Sequence, residues 1–552
     1  MTPTASIPGR SLFALALATG ALASSAQSQT LTFSDQTDAA GLTTTQTAPL
    51  GPETNMMLGG AAVADFDNDG WQDLFVPMID VEPDRLFFND GDGTFTEDAA
   101  GWGVDATHIA GGMAVGDYDN DGFTDMFLTS HGTFTGYLPG QHKLYHNLGN
   151  SFEEVAAAAG VAFASPVNFD GMGACFGDSD LDGDLDLFVT GWIIDSQGNR
   201  YFLNDGDGTF TDVTYTKIGP SANIDDVRGY TPIFVDMNED LLPELLISGD
   251  FETSRYLVNV GNGDFVDRTA SSGTAIDQFG MGGTVADFNA DGRPDWYVTS
   301  IYGEIHLIQG FGNRLYRQDF NHVYSDVTAL AGVDDGGWGW GTVAVDLNHD
   351  RYVDIAETNG WFQPTWVGEN DYIFLNGGPS VGFTDAANVC GVIHASSGKG
   401  LVHFDYDNDG DQDLVFCSND EPLKLFRNDL GGPDTNWLRV TLDNGGASHI
   451  APHGYGARVE VTSGGVTQKM SMTAGGSFIS QSELVCHFGL GDHTSATLVK
   501  VFWGDGSESR VVNPRANQTL HIVYEDEEPP FVGEVQRRGG ITLPPLAPPK
   551  TQ

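Results

Sequence analysis

The chain has 552 residues, of which 40% are hydrophobic and 72 are glycine, as is typical of a turn-rich globular protein with a large buried core. Its 77 acidic residues outnumber 24 Lys and Arg residues, which gives a formal net charge of −53. Nucleic acids and anionic membranes are bound through basic surfaces, so this charge argues against both and favours cations, basic proteins or uncharged ligands as partners.

The first 26 residues predict a secretory signal peptide. Arg10 supplies a positive charge, Leu12 to Leu22 form a short apolar core, and small residues follow at 21–23 and 24–26. A membrane anchor, the alternative, would need about 20 apolar residues. No Cys lies near the cleavage site, so a lipoprotein is not expected, and no later stretch is long and apolar enough to span a bilayer. We therefore expect a protein that is secreted, or held in the periplasm or at the cell surface.

The most informative pattern is an acidic loop of nine residues. Its first copy has carboxylates at positions 1, 3, 5 and 9 and a glycine at position 6, namely Asp65, Asp67, Asp69, Asp73 and Gly70. Calcium prefers oxygen ligands at this spacing, and the glycine allows the sharp turn that brings them together. A single match also fits a solvated acidic turn between two strands, so the number of copies decides the interpretation.

The loop occurs seven times at intervals of 51 to 61 residues, which identifies an internal repeat. We number the copies in chain order as L1 (65–73), L2 (117–125), L3 (178–186), L4 (236–244), L5 (287–295), L6 (346–354) and L7 (405–413).

Five loops are expected to bind calcium, through side chains and, at position 7, through main-chain carbonyls. L1, L2, L3 and L7 are intact, and L5 has a neutral Asn oxygen at position 3. The predicted ligands are Asp65, Asp67, Asp69, Trp71 and Asp73 in L1; Asp117, Asp119, Asp121, Phe123 and Asp125 in L2; Asp178, Asp180, Asp182, Asp184 and Asp186 in L3; Asp287, Asn289, Asp291 and Asp295 in L5; and Asp405, Asp407, Asp409, Asp411 and Asp413 in L7. L4 and L6 have Leu241 and Arg351 in place of the glycine, so they should bind calcium more weakly or not at all.

Strand signals surround each loop. In the first repeat a glycine-rich run (59–64) precedes the loop, a β-prone run (74–76) follows it, a third strand ends in Asn89, and a fourth opens with Phe95. Four strands per unit, repeated radially, predict the blades of a β-propeller. The last unit lacks a fourth strand, and residues 32–35 match one. We therefore expect the N-terminal strand to complete the seventh blade, which hides edges that the alternative, an open solenoid, would expose.

The repeat is lost from about Trp437, where alternating strands predict a small β-sandwich or barrel-like domain. The whole chain is thus predicted to be all-β, with a seven-bladed β-propeller followed by this smaller domain. The expected organisation is a signal peptide (1–26), the propeller (30–432), the C-terminal domain (436–525) and a flexible Pro-rich tail (526–552).

Both parts resemble known families. The pattern Asp-x-Asp-x-Asp-Gly-x-x-Asp-Leu resembles FG-GAP/VCBS repeats over about residues 30 to 430. The C-terminal domain resembles the ASPIC/UnbV domain through 454–459, 481–483, 487–491 and 501–503, although Gly504 follows Trp503 where that family often has Pro. Together they are similar to the cartilage acidic protein family and its bacterial relatives. The resemblance implies an exported, calcium-binding, adhesive or matrix-associated protein, and it implies no established reaction.

No catalytic constellation is recognisable in the sequence. The 14 His are scattered, without a His-Glu-x-x-His pattern, and there is no Gly-x-Ser-x-Gly elbow. Trp338, Trp340 and Trp361 suit either the blade core or a central cavity that stacks on sugars. Four further His are expected to be packed or solvated rather than ligands: His394, His403, His449 and His453.

The predicted function is therefore an exported calcium-binding module for extracellular adhesion or matrix association, with a glycan or a protein as its ligand. The alternative is a calcium-dependent carbohydrate-active enzyme, a lyase or hydrolase, that uses the central pocket of the propeller.

Four cysteines remain, without metal-site spacing: Cys175, Cys390, Cys417 and Cys486. Export permits disulfides, and Cys390 with Cys417 is the favoured pair because both lie in neighbouring repeats. Free buried cysteines that act as small apolar residues are the alternative.

Overall fold

The computed structural model describes residues 30–47, 57–79, 82–132, 140–163, 170–305, 308–363, 366–419, 421–473 and 475–525. The predicted signal peptide and the predicted tail lie outside these ranges. No helix in the described part of the chain has the length and apolarity of a membrane span.

Strands dominate the described residues, which confirms the all-β class. Seven four-stranded antiparallel sheets, S1 to S7, each carry the acidic loop of the same number between their first two strands. The first strand in the chain is β1 (Phe33–Asp35). S1 consists of β2 (Ala62–Ala64), β3 (Asp73–Val76), β4 (Arg85–Asn89) and β5 (Phe95–Glu97); S2 consists of β6 (Ile109–Gly116), β7 (Asp125–Gly132), β8 (Lys143–Asn147) and β9 (Phe152–Glu154). S3 consists of β10 (Ala174–Gly177), β11 (Asp186–Val189), β12 (Arg200–Asn204) and β13 (Phe210–Asp212).

The remaining sheets of the propeller follow the same order, and S5 has an additional hairpin between its second and third strands. S4 consists of β14 (Arg228–Val235), β15 (Glu244–Asp250), β16 (Arg255–Asn259) and β17 (Phe265–Asp267); S5 of β18 (Gly283–Ala286), β19 (Asp295–Val298), the hairpin β20 (Tyr302–Ile305) and β21 (Ile308–Phe311), β22 (Arg314–Phe320) and β23 (Val323–Asp326); S6 of β24 (Gly339–Val345), β25 (Asp354–Asn359), β26 (Tyr372–Asn376) and β27 (Phe383–Asp385); and S7 of β28 (Ser397–Phe404), β29 (Asp413–Asn419) and β30 (Lys424–Asn428) with β1.

Short helices connect successive sheets. They are α1 (Ala99–Trp102), α2 (Ala156–Ala159), α3 (Thr214–Lys217), α4 (Thr269–Ser272), α5 (Thr328–Ala331) and α6 (Ala387–Cys390), with single 3-10 turns at Pro220–Ala222, Ile224–Asp226 and Pro452–Gly454. Apolar side chains of adjacent sheets pack together between these connections. Phe75 of S1 and Met126 of S2, for example, are fully buried in one cluster. The hydrophobic core is therefore distributed around the propeller, between neighbouring sheets.

The N-terminal strand completes S7, as the sequence predicted. β1 pairs antiparallel with β30, and Phe33 lies opposite Asn428. A second set of contacts joins every sheet to the one before it, because the side-chain amide of an Asn or Gln on each third strand donates to the carbonyl at position 2 of the preceding loop. The pairs are Asn147–Phe66, Asn204–Tyr118, Asn259–Ser179, Gln318–Met237, Asn376–Phe288, Asn428–Leu347 and Asn89–Tyr406, at 2.5 to 2.9 Å.

The C-terminal domain is a small β-sandwich. Its strands are β31 (Asn436–Asp443), β32 (Arg458–Ser463), β33 (Val466–Ser471), β34 (Cys486–Gly491), β35 (Leu498–Phe502), β36 (Glu508–Val512) and β37 (Thr519–Val523). One sheet has the order β34-β31-β37 and the other the order β33-β32-β35-β36. Their inner faces share one buried cluster that includes Val440, Val459 and Val501.

A segment of this domain, residues 475–483, enters the centre of the propeller, and we call it the central plug. Ser477 exchanges two backbone hydrogen bonds with Gly283 of S5, and Gln481 bonds the backbone of Ala61 and Val63 in S1. The glycine-rich runs before the loops permit this approach, since a Cβ on Gly60 would lie 2.3 Å from the carbonyl oxygen of Ile479. The first strands of the propeller thus enclose protein rather than an open channel.

The tryptophans singled out by the sequence lie beside this plug. Trp338, Trp340 and Trp361 are 6%, 1% and 3% exposed, and Trp338 stacks on Trp361 at 4.9 Å between ring centroids. Phe478 of the plug packs edge-on against Trp340 at 5.0 Å. These rings form central packing, and they do not line an open sugar-binding cavity.

The favoured disulfide between Cys390 and Cys417 is wrong. All four cysteines are free and buried. Cys417 lies in the cluster of S7 with S1, whereas Cys390 lies in the cluster of S6 with S7, so the two thiols serve different apolar interfaces. The alternative, cysteine as a small apolar residue, describes them.

Candidate cation-binding loops

Backbone N–H groups fix the first and last carboxylates of each loop. In L1, Asp65 accepts hydrogen bonds from the N–H groups of Asp69 (3.0 Å) and Gly70 (2.9 Å). Asp73 accepts from the N–H of Phe66 at 3.0 Å and from that of Asn89, on the third strand, at 2.9 Å. The hairpin and its neighbouring strand therefore set the positions of both carboxylates.

The loop turns through two residues with positive φ, at positions 4 and 6. In L1 these are Asn68 (56°) and Gly70 (92°). L4 and L6 keep this turn although position 6 is Leu241 (77°) or Arg351 (79°). Their N–H groups still donate to the first carboxylate of the loop, at 2.8 and 2.7 Å. A side chain at positive φ costs roughly 1–2 kcal/mol, which these hydrogen bonds offset, so loss of the glycine does not unmake the turn.

Carboxylate oxygens converge in four of the loops. Within each group, one oxygen from each of three residues lies within 4.8 Å of the others. The groups are Asp65, Asp67 and Asp73 in L1; Asp117, Asp119 and Asp125 in L2; Asp178, Asp180 and Asp182 in L3; and Asp405, Asp407 and Asp413 in L7. These are the four loops with Asp at position 3 and Gly at position 6.

The hydrogen bonding of the carboxylate at position 3 shows whether a cation would fit these loops. One carboxylate oxygen of each of Asp119, Asp180 and Asp407 is buried and has no hydrogen-bond partner. Leaving such an oxygen unpaired is costly, and a hard cation with oxygen ligands would satisfy it. The residues present therefore fit a calcium-sized cation in L2, L3 and L7.

Burial disfavours the charged form of the same carboxylates when no cation is bound. It raises the pKa of Asp65 to about 6 and that of Asp73 to about 8, and neighbouring carboxylates add to the rise. In L2 the pKa of Asp117 rises to about 7 and that of Asp125 to about 9, again mainly through burial. A cation among these oxygens would favour their charged forms.

In L4, L5 and L6 no such group of three forms among the described residues. Each has Asn at position 3, and in two of these loops its amide donates to the position-5 carboxylate, from Asn238 to Asp240 at 2.9 Å and from Asn348 to Asp350 at 3.1 Å. In L5, Arg293 pairs with Asp291, a predicted ligand. The remaining predicted ligands of L5, Asp287, Asn289 and Asp295, stay at the expected loop positions.

At position 7 the backbone N–H groups make hydrogen bonds within the loop, while the backbone carbonyls are the predicted calcium ligands. The N–H groups of Trp71, Phe123, Asp184 and Asp411 donate to the position-5 carboxylates Asp69, Asp121, Asp182 and Asp409 at 2.9 to 3.1 Å. Their carbonyls remain predicted ligands.

One further potential ligand was not identified from the sequence. His146 Nε2 lies 3.1 Å from an oxygen of Asp119 and 3.2 Å from one of Asp121, so an imidazole from β8 joins two carboxylates of L2 in a group that could hold a metal ion. His146 immediately precedes Asn147 on the third strand, and this is the signal that would have placed it beside the loop.

The C-terminal domain packs on the end of the propeller that carries the loops. Arg439, with a side chain 5% exposed, lies between Asp405 of L7 (2.8 Å) and Glu483 of the plug (2.6 Å). Arg458 contacts Glu239 of L4 at 3.6 Å, and Asn444 donates to Asn120 of L2 at 3.0 Å. Several loops thus lie at a domain interface, a placement that sequence spacing does not show.

Comparison with known proteins agrees with this two-part organisation. Residues 447–529 match the family described as ASPIC and UnbV, and residues 65–128, 180–247 and 236–298 match the FG-GAP-like repeat. Cartilage acidic protein 1 of Mus musculus is 24% identical over 444 residues, which are 76% of this chain and 65% of that protein. The protein of that name from Homo sapiens is 24% identical over 500 residues, 85% of this chain and 72% of that one.

The chain thus spans slightly less than two thirds of the mouse relative. Among solved structures, YCF48 bound to D1 peptide is 10% identical with a TM-score of 0.39, covering 74% of this chain and 99% of that chain. The V. cholerae biofilm matrix protein Bap1 is 11% identical with a TM-score of 0.29, covering 87% and 62%.

Proposed function

We propose that this chain is an exported calcium-binding module associated with an extracellular matrix. The premise is that it consists of FG-GAP-like repeats and an ASPIC and UnbV domain and is homologous to cartilage acidic protein 1. Export rests on the signal peptide predicted at residues 1–26. Matrix association rests on the relationship to the cartilage acidic proteins and on the charge of −53, which suits basic or uncharged partners.

The observation that carries calcium binding is the unpaired oxygen at position 3. It recurs in three loops, at Asp119, Asp180 and Asp407, each within a group of converging carboxylates. Calcium takes six to eight oxygen ligands, and no other common cation so readily accepts several carboxylates with main-chain carbonyls. A repeated arrangement of this kind supports repeated occupation by one type of ion.

These ions would act mainly as structural elements. L2 and L7 contact the C-terminal domain, so a cation in either loop would hold carboxylates against it that otherwise repel one another. Binding to the folded state alone stabilises a protein by mass action. A glycan or protein ligand would then bind elsewhere on the surface.

The alternative of a carbohydrate-active enzyme required an open pocket at the centre of the propeller. Phe478 of the central plug is fully buried there and packs against Tyr230 and Trp340. These packed rings occupy the space that such a pocket would need.

The test uses the purified chain. Elemental analysis after dialysis should find about four calcium ions per chain, one for each group of converging carboxylates, and calcium should raise the melting temperature that a chelator lowers. Magnesium at the same concentration, the control, should raise it less, because it demands stricter octahedral geometry. A chain without bound calcium, whose melting ignores both calcium and chelator, would refute calcium binding. Calcium-dependent retention on immobilised matrix proteins or glycans tests the matrix association separately.

A further inference from the structure

A hydrogen-bonded chain of Asp371, His394 and Ser396 lies at the end of the sheets opposite to L1–L7. Asp371 directly precedes β26 and His394 precedes β28, and both strands run toward the loops. The imidazole Nδ1 of His394 contacts the carboxylate of Asp371. Its Nε2 lies 2.7 Å from the hydroxyl of Ser396. A carboxylate, an imidazole and a hydroxyl in this order form the arrangement that activates a serine.

The surroundings fix the carboxylate and the imidazole. The side chain of Asp371 is fully buried, and its other oxygen accepts from the N–H of Asn359 at 2.8 Å and from the hydroxyl of Thr358 at 3.1 Å. The backbone N–H of His394 donates to Asn370 at 2.8 Å. With Asp371 accepting the Nδ1 proton, Nε2 presents its lone pair to the serine hydroxyl.

Two serines reach this nitrogen, and they differ in exposure. Ser418 lies 3.1 Å from His394 Nε2, but it is only 1% exposed. Ser396 is closer and only half-buried. The two hydroxyls are 2.6 Å apart, so Ser418 supports Ser396 rather than replacing it. Ser396 is the hydroxyl that an external molecule can reach.

We propose that Ser396 is a reactive serine that takes the acyl group of carboxylic esters. Its Oγ bonds to the ester carbonyl carbon while its proton passes to His394 Nε2. The carbon–oxygen bond to the alcohol then breaks, and the alcohol leaves with that proton. Water hydrolyses the acyl-serine by the same route, which releases the acid and restores the hydroxyl. Asp371 is a positioning residue that holds the imidazole. This activity is independent of calcium binding.

An arrangement in the first two sheets provides an internal control. Asp84 and His108 again precede the third strand of one sheet and the first strand of the next, and Ser130 occupies the place of Ser418, but His108 is 3.2 Å from Asp84 and 3.3 Å from Ser130. The contacts are longer, the serine faces the other ring nitrogen, and Ser130 is 2% exposed. The same connection there joins two sheets without presenting a hydroxyl to solvent, so Ser130 should be unreactive.

The test is covalent labelling of the full chain by a fluorophosphonate probe, followed by peptide mapping. We expect one label per chain on Ser396, slow hydrolysis of p-nitrophenyl acetate, and loss of both in S396A. S130A, the matched control, should label at the wild-type rate. An H394Q variant that melts like the wild type should label at least tenfold more slowly. Absence of label, label on Ser418 or Ser130, or labelling that survives S396A would overturn the proposal.

Asp371 needs a readout that loss of packing alone would not move. In D371N, the Nδ1 proton of His394 loses the carboxylate that accepts it and holds the ring, so kcat for p-nitrophenyl acetate should fall at least tenfold while KM stays unchanged. The groups around the ring are Asp371, Asn370, Ser396, Ser418 and the Phe416 ring, 5.3 Å away, so Asp371 is the one carboxylate among these contacts. An unchanged kcat in a folded D371N protein would contradict the positioning role.

Discussion

The side-chain amide of Asn89 donates to the carbonyl oxygen of Tyr406 at 2.8 Å, although 317 positions separate the two residues in the chain. It also donates to Gln72 of its own sheet, and its backbone N–H donates to Asp73 of L1. One residue thus connects three things: the third strand of S1, the acidic loop L1 and the loop of the sheet before it. With the equivalent amides in the other sheets, it closes the propeller through polar contacts as well as through apolar packing.

Loss of this amide should therefore destabilise the whole ring. We expect N89A to lower the free energy of unfolding by about 1–3 kcal/mol, since buried carbonyls lose their donors. Urea denaturation followed by tryptophan fluorescence measures the change. N150A is the control, because Asn150 is exposed in a neighbouring turn, and it should stay within about 0.5 kcal/mol of the wild type. Equal effects from both variants would contradict the linking role.

The converging loops should differ from the others in calcium binding. D67A removes a carboxylate of the L1 group and should reduce the calcium count by one. D240A changes L4, where Asn238 already donates to Asp240, and should leave the count unchanged. Calorimetric titration of both variants measures the number of sites. If D240A lost as much calcium as D67A, donor convergence would not determine which loops bind.

Arg439 should matter far more than a surface arginine. R439M leaves Asp405 and Glu483 buried without their partner, which should cost about 3–5 kcal/mol of the free energy of unfolding. R85A breaks contacts of 3.8 and 3.9 Å near the surface and should cost no more than about 1 kcal/mol. Denaturation in the presence of calcium provides the comparison. A mild effect of R439M would mean that water or calcium replaces the guanidinium at the domain interface.

Glu357 should make stability fall with rising pH. Burial raises its pKa to about 8, while Tyr297 and Asn313 donate to one of its oxygens at 2.6 and 2.8 Å. The folded state therefore holds a proton that the unfolded state releases near pH 4.3. Stability from this group is complete below that pH and is lost as pH rises to about 8, by at most about 1.4 kcal/mol per pH unit.

The E357Q variant tests this dependence, because it keeps an acceptor oxygen and cannot ionise. Urea unfolding at pH 5 and pH 8.5 in saturating calcium should show E357Q losing less stability than the wild type. E82Q changes an exposed glutamate and should follow the wild type. Parallel pH dependence of E357Q and the wild type would rule out a buried proton at Glu357.

The cysteines should be inert in the folded protein. Burial raises the pKa of the Cys390 thiol to about 11 and those of Cys417 and Cys486 to about 12, and it raises that of Cys175 further. Native protein should give no reaction with a thiol-selective reagent, and unfolded protein should give four thiols per chain. A reducing agent should leave the melting temperature unchanged. Fewer than four thiols after unfolding would indicate a disulfide.

The sequence predicts the structure within each repeat well, because each repeat spans only about 60 consecutive residues. The Asp spacing of L1 and the Asn that ends β4 both depend on contacts close in the chain, and they hold in the structure. The sequence pattern alone overstated how strongly the turn depends on a glycine at position 6. Leu241 and Arg351 lack the freedom of glycine, yet backbone hydrogen bonds to the first carboxylate hold them in the same turn.

Among contacts between distant segments, the pairing of β1 with β30 was predictable because the last repeat lacks a fourth strand, whereas most others were not. Gln318 replaces Asn in S5 and reaches the same carbonyl position with its longer side chain. The central plug, Arg439 beside Asp405, and Ser396 beside His394 depend on how whole sheets are placed, and no spacing in the chain encodes them. Residues 481–483 belong to the pattern that resembles the ASPIC/UnbV domain, but only the structure shows that this segment bonds the first strand of S1.

The pairing of β1 with β30 also sets the order of events during folding. Phe33 is synthesised almost 400 residues before its partner Asn428, so β1 has no partner while the first six sheets are being made. Contacts this distant in sequence slow folding, because a long chain must be closed before they form. The plug comes later still, and its Ile479 adopts a φ of 43° that is unfavourable for a β-branched residue. β1 therefore stays unpaired until β30 has been synthesised. A chain truncated before residue 428 would leave both S7 and the centre of the ring incomplete.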